Sequence, residues 1–204
     1  MFYDTRKNAH GLPFNPFNSL IIPRPIGWIS SQDNEGNINL APYSYFNAVC
    51  DDPAMVMFAT VNSRLDGTLK DTIHNVETQG EFVVNMATYE LREAVNLSSA
   101  TLPRDKDEFT FANLESIPSI LVKPLRIQKS PINLECVYYQ SIQLPLNSTG
   151  NTNRIIIGKV LGIHIDDSII VDGKIDVTKI KPIARLGYAD YAVIENIFKM
   201  QRPV

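Results

Sequence analysis

Residues 24–47, RPIGWISSQDNEGNINLAPYSYFN, constrain the fold of this chain more than any other stretch. Ile26 to Ser31 is apolar, β-branched and aromatic, the composition of a strand. Asp33-Asn34-Glu35-Gly36-Asn37 gathers turn formers, so Ile38 to Phe46 is expected to pair back as the second arm of a hairpin. Pro42 has no N–H to give to a ladder and belongs at a sheet edge or a bulge. A break there frees the amides and side chains of Tyr43, Ser44, Tyr45, Phe46 and Asn47 to face a ligand. The segment 63–72, SRLDGTLKDT, follows as a basic, hydroxyl-rich loop that opens a helix. Two extended arms and such a loop make a cradle for a flat, phosphorylated ligand.

The loop supplies the anion half of that cradle. Leu69, Ile73 and Val76 recur at i, i+4 and i+7 and Gly80 is a stop signal, which predicts a helix over 68–78. Free N–H groups in its first turn favour an anion by about 0.3–1 kcal/mol. Ser63, Arg64, Lys70 and Thr72 add hydroxyl groups and positive charge at the same place. The same residues also read as an ordinary capped helix start, with Thr68 or Asp71 as the cap and Arg64 and Lys70 as solvated charges. The residues alone leave both readings open.

The remainder predicts a mainly β chain. Pro13 and Pro16 among Phe14 and Phe17 suggest an extended arm laid on an apolar surface. Ala54 to Val61 is apolar on both faces and is expected as a central strand, and Glu81 to Met86 as another. Helices are expected over 89–94 and briefly within 102–115. Strands are expected over 125–128, 132–144, 154–166 and 168–171, with Gly158 and Gly162 as bulges or barrel corners. Residues 177–180 suggest one helical turn, and 191–198 a short helix or a strand, with irregular structure the favoured reading. Many strands, hairpin turns and no βα alternation favour an antiparallel barrel. No G-x-G-x-x-G or G-x-x-x-x-G-K-[ST] string occurs, which excludes those dinucleotide and P-loop signatures.

Residues 1–204 are expected to form a single domain. A net charge of -3 gives no reason to expect a nucleic-acid or anionic-membrane partner. No run of about 18 apolar residues suggests a membrane span, and 1–19 lacks a signal-peptide core, so a cytoplasmic location is expected. His10, His74 and His164 have no companions at metal-ligand spacing, and Cys50 and Cys136 form no CxxC. Neither a metal site nor a serine or cysteine nucleophile is expected. A chain this poor in reactive side chains fits chemistry carried by a cofactor.

The strings RPIGWISSQD, GNINLAPYSYFN and SRLDGTLKDTIHNVETQGEFVVN, with ARLGYADYA at 184–192 and FKMQRP at the end, occur in register along nearly all of the chain. In these it resembles the flavin reductase-like family, which binds FMN in a split β-barrel. The resemblance implies an antiparallel, Greek-key split barrel with a few short peripheral helices. Trp28, Ile29, Ser30 and Ser31 would line the isoalloxazine, and Ser44, Tyr45, Phe46 and Asn47 would form the second wall. Asn62, Ser63, Arg64, Lys70 and Thr72 would hold the phosphate, while Arg185, Gly187, Tyr188 and Tyr191 would approach the flavin. Tyr188 stands where the family often has a second glycine. The implied activity is FMN-dependent (FAD is the other flavin admitted) hydride transfer from NAD(P)H, onward to free flavin, ferric iron, oxygen or a monooxygenase. The alternative is an FMN-binding protein or electron carrier without nicotinamide turnover. A homodimer is also implied.

Overall fold

A computed structural model describes residues 1–7, 9–60, 68–104, 106–148 and 150–203. After a one-turn helix α1 (Phe17–Leu20) come strands β1 (Arg24–Pro25), β2 (Gly27–Gln32), β3 (Ile38–Tyr43), β4 (Phe46–Asp51) and β5 (Ala54–Thr60). Helix α2 (Asp71–Gln79) leads into β6 (Glu81–Met86), then α3 (Arg92–Leu97) and α4 (Glu108–Phe111). The second half holds β7 (Ser116–Ile117), β8 (Arg126–Ile127), β9 (Ile132–Leu144), β10 (Asn153–Ile165), β11 (Ile170–Val171), β12 (Lys174–Ile175), α5 (Val177–Ile180), β13 (Ile183–Arg185) and β14 (Tyr191–Val193).

Seven strands form one sheet in the order β3-β2-β6-β9-β10-β5-β4, and every pairing in it is antiparallel. Its two outermost strands, β3 and β4, are consecutive in the chain and joined only by Ser44 and Tyr45. The sheet therefore curls until its edges meet. The Tyr45 carbonyl accepts the Ala59 N–H at 2.7 Å, the Tyr43 and Phe58 rings lie 5.1 Å apart, and the Phe46 ring packs on Gly27. The result is the expected antiparallel split barrel with short peripheral helices. A smaller sheet, β1-β13-β14, sets Arg24 opposite Arg185.

Alternation along β2 divides the core in two. Ile29 enters the barrel with Phe58, Phe82, Val84 and Ile156. Trp28 points the other way, among Leu40, Leu91, Val95, Phe109 and Ile183. Both faces of β2 are thus buried, and its buried polar residues Ser30 and Ser31 are held by hydrogen bonds to the Leu125 carbonyl and from Asn39.

Local signals fared well where the interaction is local. The β2–β3 hairpin, β6, β9, α5 and the bulges flanking Gly158 and Gly162 lie where the sequence predicts them. Gly80 ends α2 in the left-handed region at φ 76°. Other boundaries differ. α2 begins at Asp71 rather than Thr68, with Lys70 as its N-cap. The 38–46 run breaks after Tyr43, not at Pro42, because β3 is an edge strand and an edge tolerates the missing donor. β5 lies one strand from the edge and alternates in burial, so it is not central. Helix α3 starts at Arg92, and the proline-rich arm contains α1. Tyr191–Val193 is a strand rather than irregular because it pairs with β13.

Candidate functional site

Two cavities adjoin along the outer edge of β3, and Pro42 and Ser99 line both. The first, about 320 Å³, lies between Tyr43, the first turn of α2 (Lys70, Asp71, Thr72) and the segment 98–102. The second, about 370 Å³, is walled by Arg24, Ser44, Tyr45, Arg185, Tyr188 and Tyr191. A larger cavity of about 510 Å³ lies beyond Asn39 and Asp71. Its lining, which includes Asp33, Asn34, Glu35, Asn37, His74, Arg104 and Lys106, offers no aromatic wall for a flat ring.

The first cavity sets Lys70 and the start of α2 beside two carboxylates, Asp71 and Glu108. The side chain of the Lys70 N-cap makes no capping bond, and the first backbone bonds of α2 run from the Ile73 and His74 amides to the Lys70 carbonyl. Burial lowers the pKa of the half-buried Lys70 ammonium, which a neighbouring anion would offset. Thr72 is buried, and its hydroxyl accepts from Asn39 Nδ2 at 2.7 Å. Asn39 in turn donates to the Ser31 hydroxyl, so the floor is a polar network running from β2 to α2. Burial likewise pushes the Tyr43 hydroxyl up, although its hydrogen bond with Thr72 acts the other way.

The second cavity is the aromatic end. The Arg24 guanidinium donates to the Ile21 carbonyl at 2.8 Å and to the Asn18 carbonyl, while its buried Nε has no partner among the described residues. The Tyr45 hydroxyl donates to Asn18 Oδ1 at 2.6 Å. Arg185 lies 4.5 Å above the Tyr191 ring centre, a cation–π contact. Two guanidinium groups and three tyrosines, Tyr45, Tyr188 and Tyr191, make a lining that suits a polar-edged aromatic ligand.

Of the residues singled out from sequence, the structure brings Lys70 and Thr72 to the first cavity and Ser44, Tyr45, Arg185 and Tyr188 to the second. Asn62, Ser63 and Arg64 lie outside the described residues. Trp28, Ile29, Ser30 and Ser31 line neither of these two cavities. β2 is paired on both sides, and these four side chains are at most 1% exposed. The Trp28 Nε1–H donates to Ser98 Oγ at 2.9 Å, next to Ser99, which lines both cavities. Ser30 donates to the Leu125 carbonyl at 2.5 Å. Phe46 and Asn47 both belong to β4: Phe46 packs toward the barrel, and exposed Asn47 accepts from the Ala48 amide. Sequence reasoning missed Arg24 and Ser99, which reach the site only through the β1–β13 pairing and the Trp28–Ser98 bond.

An antiparallel split barrel with a lysine-bearing cavity and a tyrosine-lined cavity adjoining along one edge defines a recognisable class. The Flavin reductase like domain family matches residues 17–178, most of the chain, and the chain belongs to that family. An uncharacterized protein of Aquifex aeolicus is 37% identical over 169 residues, covering 82% of this chain and 83% of that protein. The crystal structure of nitrilotriacetate monooxygenase component B from Bacillus cereus is similar with a TM-score of 0.88 and 30% identity, covering 98% of both chains. A split barrel domain protein of Shewanella frigidimarina, 20% identical with a TM-score of 0.78 over 98% of this chain and 94% of that one, shares the fold. No helix among the described residues is long and apolar enough to cross a membrane.

Proposed function

We propose that this chain is a flavin-dependent oxidoreductase that holds FMN with its phosphate at Lys70 and Thr72 and its ring toward Tyr45, Arg185 and Tyr188. The observation that carries the reading is the division of one cleft, at Pro42 and Ser99, into an anion end and an aromatic end. When bound, the flavin supplies a ring able to take hydride from NAD(P)H and to pass electrons to an acceptor such as oxygen, ferric iron, free flavin or a partner monooxygenase. FAD is admitted by the same anion end. The Bacillus cereus relative, named as a monooxygenase component, supports delivery of electrons to a separate protein.

The protein's part is binding, orientation and charge. Lys70 and the first turn of α2 neutralise the phosphate. Arg24 and Arg185 put positive charge beside the aromatic wall, the sign that favours an electron-rich ring. No acid or base is required of the chain for hydride transfer. We further propose a homodimer: Tyr139, Leu161, Ile163 and Ile165 on β9 and β10 are exposed, the kind of apolar surface a twin subunit covers.

The test is anaerobic. Purified, FMN-loaded protein mixed with NADH or NADPH is expected to lose its oxidised-flavin absorbance. A chain that binds no FMN at micromolar concentration would sink the reading.

A further inference from the structure

Among the described residues, four that are not glycine have a left-handed backbone: Asn113, Asp172, Lys181 and Tyr188. Only Tyr188, at φ 51°, lines the cleft. A bulky side chain is sterically disfavoured in that region, whereas asparagine and glycine adopt it readily. The fold nevertheless holds it there. Residues 187–190 form a tight turn, closed by the Asp190 amide on the Gly187 carbonyl at 2.8 Å and the Leu186 amide on the Asp190 carbonyl at 3.0 Å. The Arg185 guanidinium donates to the Tyr188 carbonyl, and the Phe14 ring meets the Tyr188 ring edge-on at 5.8 Å. Tyr188 is 54% exposed, so its ring is a rim feature and contributes little to the core. The turn itself would be satisfied by glycine. What tyrosine adds is an aromatic plate at the open side of the aromatic end, braced by Phe14 and by Arg185 on Tyr191.

We propose that Tyr188 is the specificity-determining residue of this site. Its ring takes up part of the approach to the bound ring and so sets which planar electron partners reach it. The proposal rests on the flavin reading above.

Three variants separate the possibilities: Tyr188→Gly and Tyr188→Asn remove the ring and keep a left-handed backbone, while Tyr188→Phe keeps the ring. Each is loaded with saturating FMN, and flavin reduction is followed anaerobically with NADH, with NADPH and with dithionite, a reductant too small to be screened. The ratio of the nicotinamide rate to the dithionite rate is expected to rise about fivefold or more in both ring-deleted variants and to stay at the wild-type value in Tyr188→Phe. An unchanged ratio in Tyr188→Gly and Tyr188→Asn overturns the proposal, as does a Tyr188→Phe ratio that moves as far as theirs. Wild-type protein that takes up no flavin overturns the cofactor reading itself, an outcome distinct from flavin-loaded variants that all behave alike.

Discussion

Glu108 and Glu135 are both buried carboxylates, yet they act on stability in opposite directions with pH. Glu108 accepts the Leu40 amide at 3.0 Å, and burial raises its pKa, with Asp71 and Asp107 adding to the effect. A raised folded pKa contributes stability below the ordinary glutamate range and loses it as pH rises through the folded value. Glu108→Gln keeps an acceptor for Leu40. It is expected to raise Tm near neutral pH by about 2–4 °C, or ~1 kcal/mol, in a chain of this size. The gain should vanish below about pH 4, where the wild-type carboxyl is already neutral. Burial also acts to raise the pKa of Glu135, but His164 and the amides of Ile120 and Leu121 outweigh it and hold the carboxyl below its usual range. Its contribution is therefore present above the ordinary glutamate range and lost as pH falls through the lowered value. Glu135→Gln should cost about 1–3 kcal/mol near neutral pH, narrowing in acid. Thermal melts of both variants across pH distinguish the two signs. At the cleft, Lys70→Met is expected to weaken FMN about tenfold, ~1.4 kcal/mol, and to flatten the salt dependence, as read by flavin fluorescence titration.

At the scale of elements, the turn after β13 and helix α1 hold each other. A Cβ placed on Gly187 would lie 2.8 Å from the Ser19 Cα, so Gly187→Ala must push α1 aside. It is expected to lower stability by about 1–3 kcal/mol and to speed proteolysis of residues 1–22, measured by melting and limited digestion. The same elements show what a sequence can and cannot convey. The β2–β3 hairpin, the Gly80 stop and the β9–β10 pair depend on neighbours a few residues away, and turn chemistry and spacing identified them. The start of α2 near Lys70 to Thr72 was legible for the same reason, since a helix start announces itself locally. The side Trp28 takes was not legible, because alternation says only that Trp28 and Ile29 face opposite ways. Which face becomes barrel interior depends on α3 and α4 arriving to bury the other. Arg24 was invisible as a site residue because β13, from the far end of the chain, brings Arg185 beside it.

For the whole molecule, a ligand that binds only the folded state adds stability by mass action. FMN at about 100 times its Kd should add ~2.7 kcal/mol, a rise in Tm of about 5–10 °C, readable by melting with and without flavin. If the homodimer forms, the melting temperature should also climb with protein concentration, and sedimentation should give twice the chain mass. The two residues that carry the chain from one sheet edge to the other, Ser44 and Tyr45, also wall the aromatic end of the cleft. Anything docked there leans on the clasp of the cylinder. Filling the cleft and fastening the staves become one event, so cofactor loss should loosen amide protection first along β3, β4 and the adjoining length of β5, ahead of the β9–β10 wall opposite.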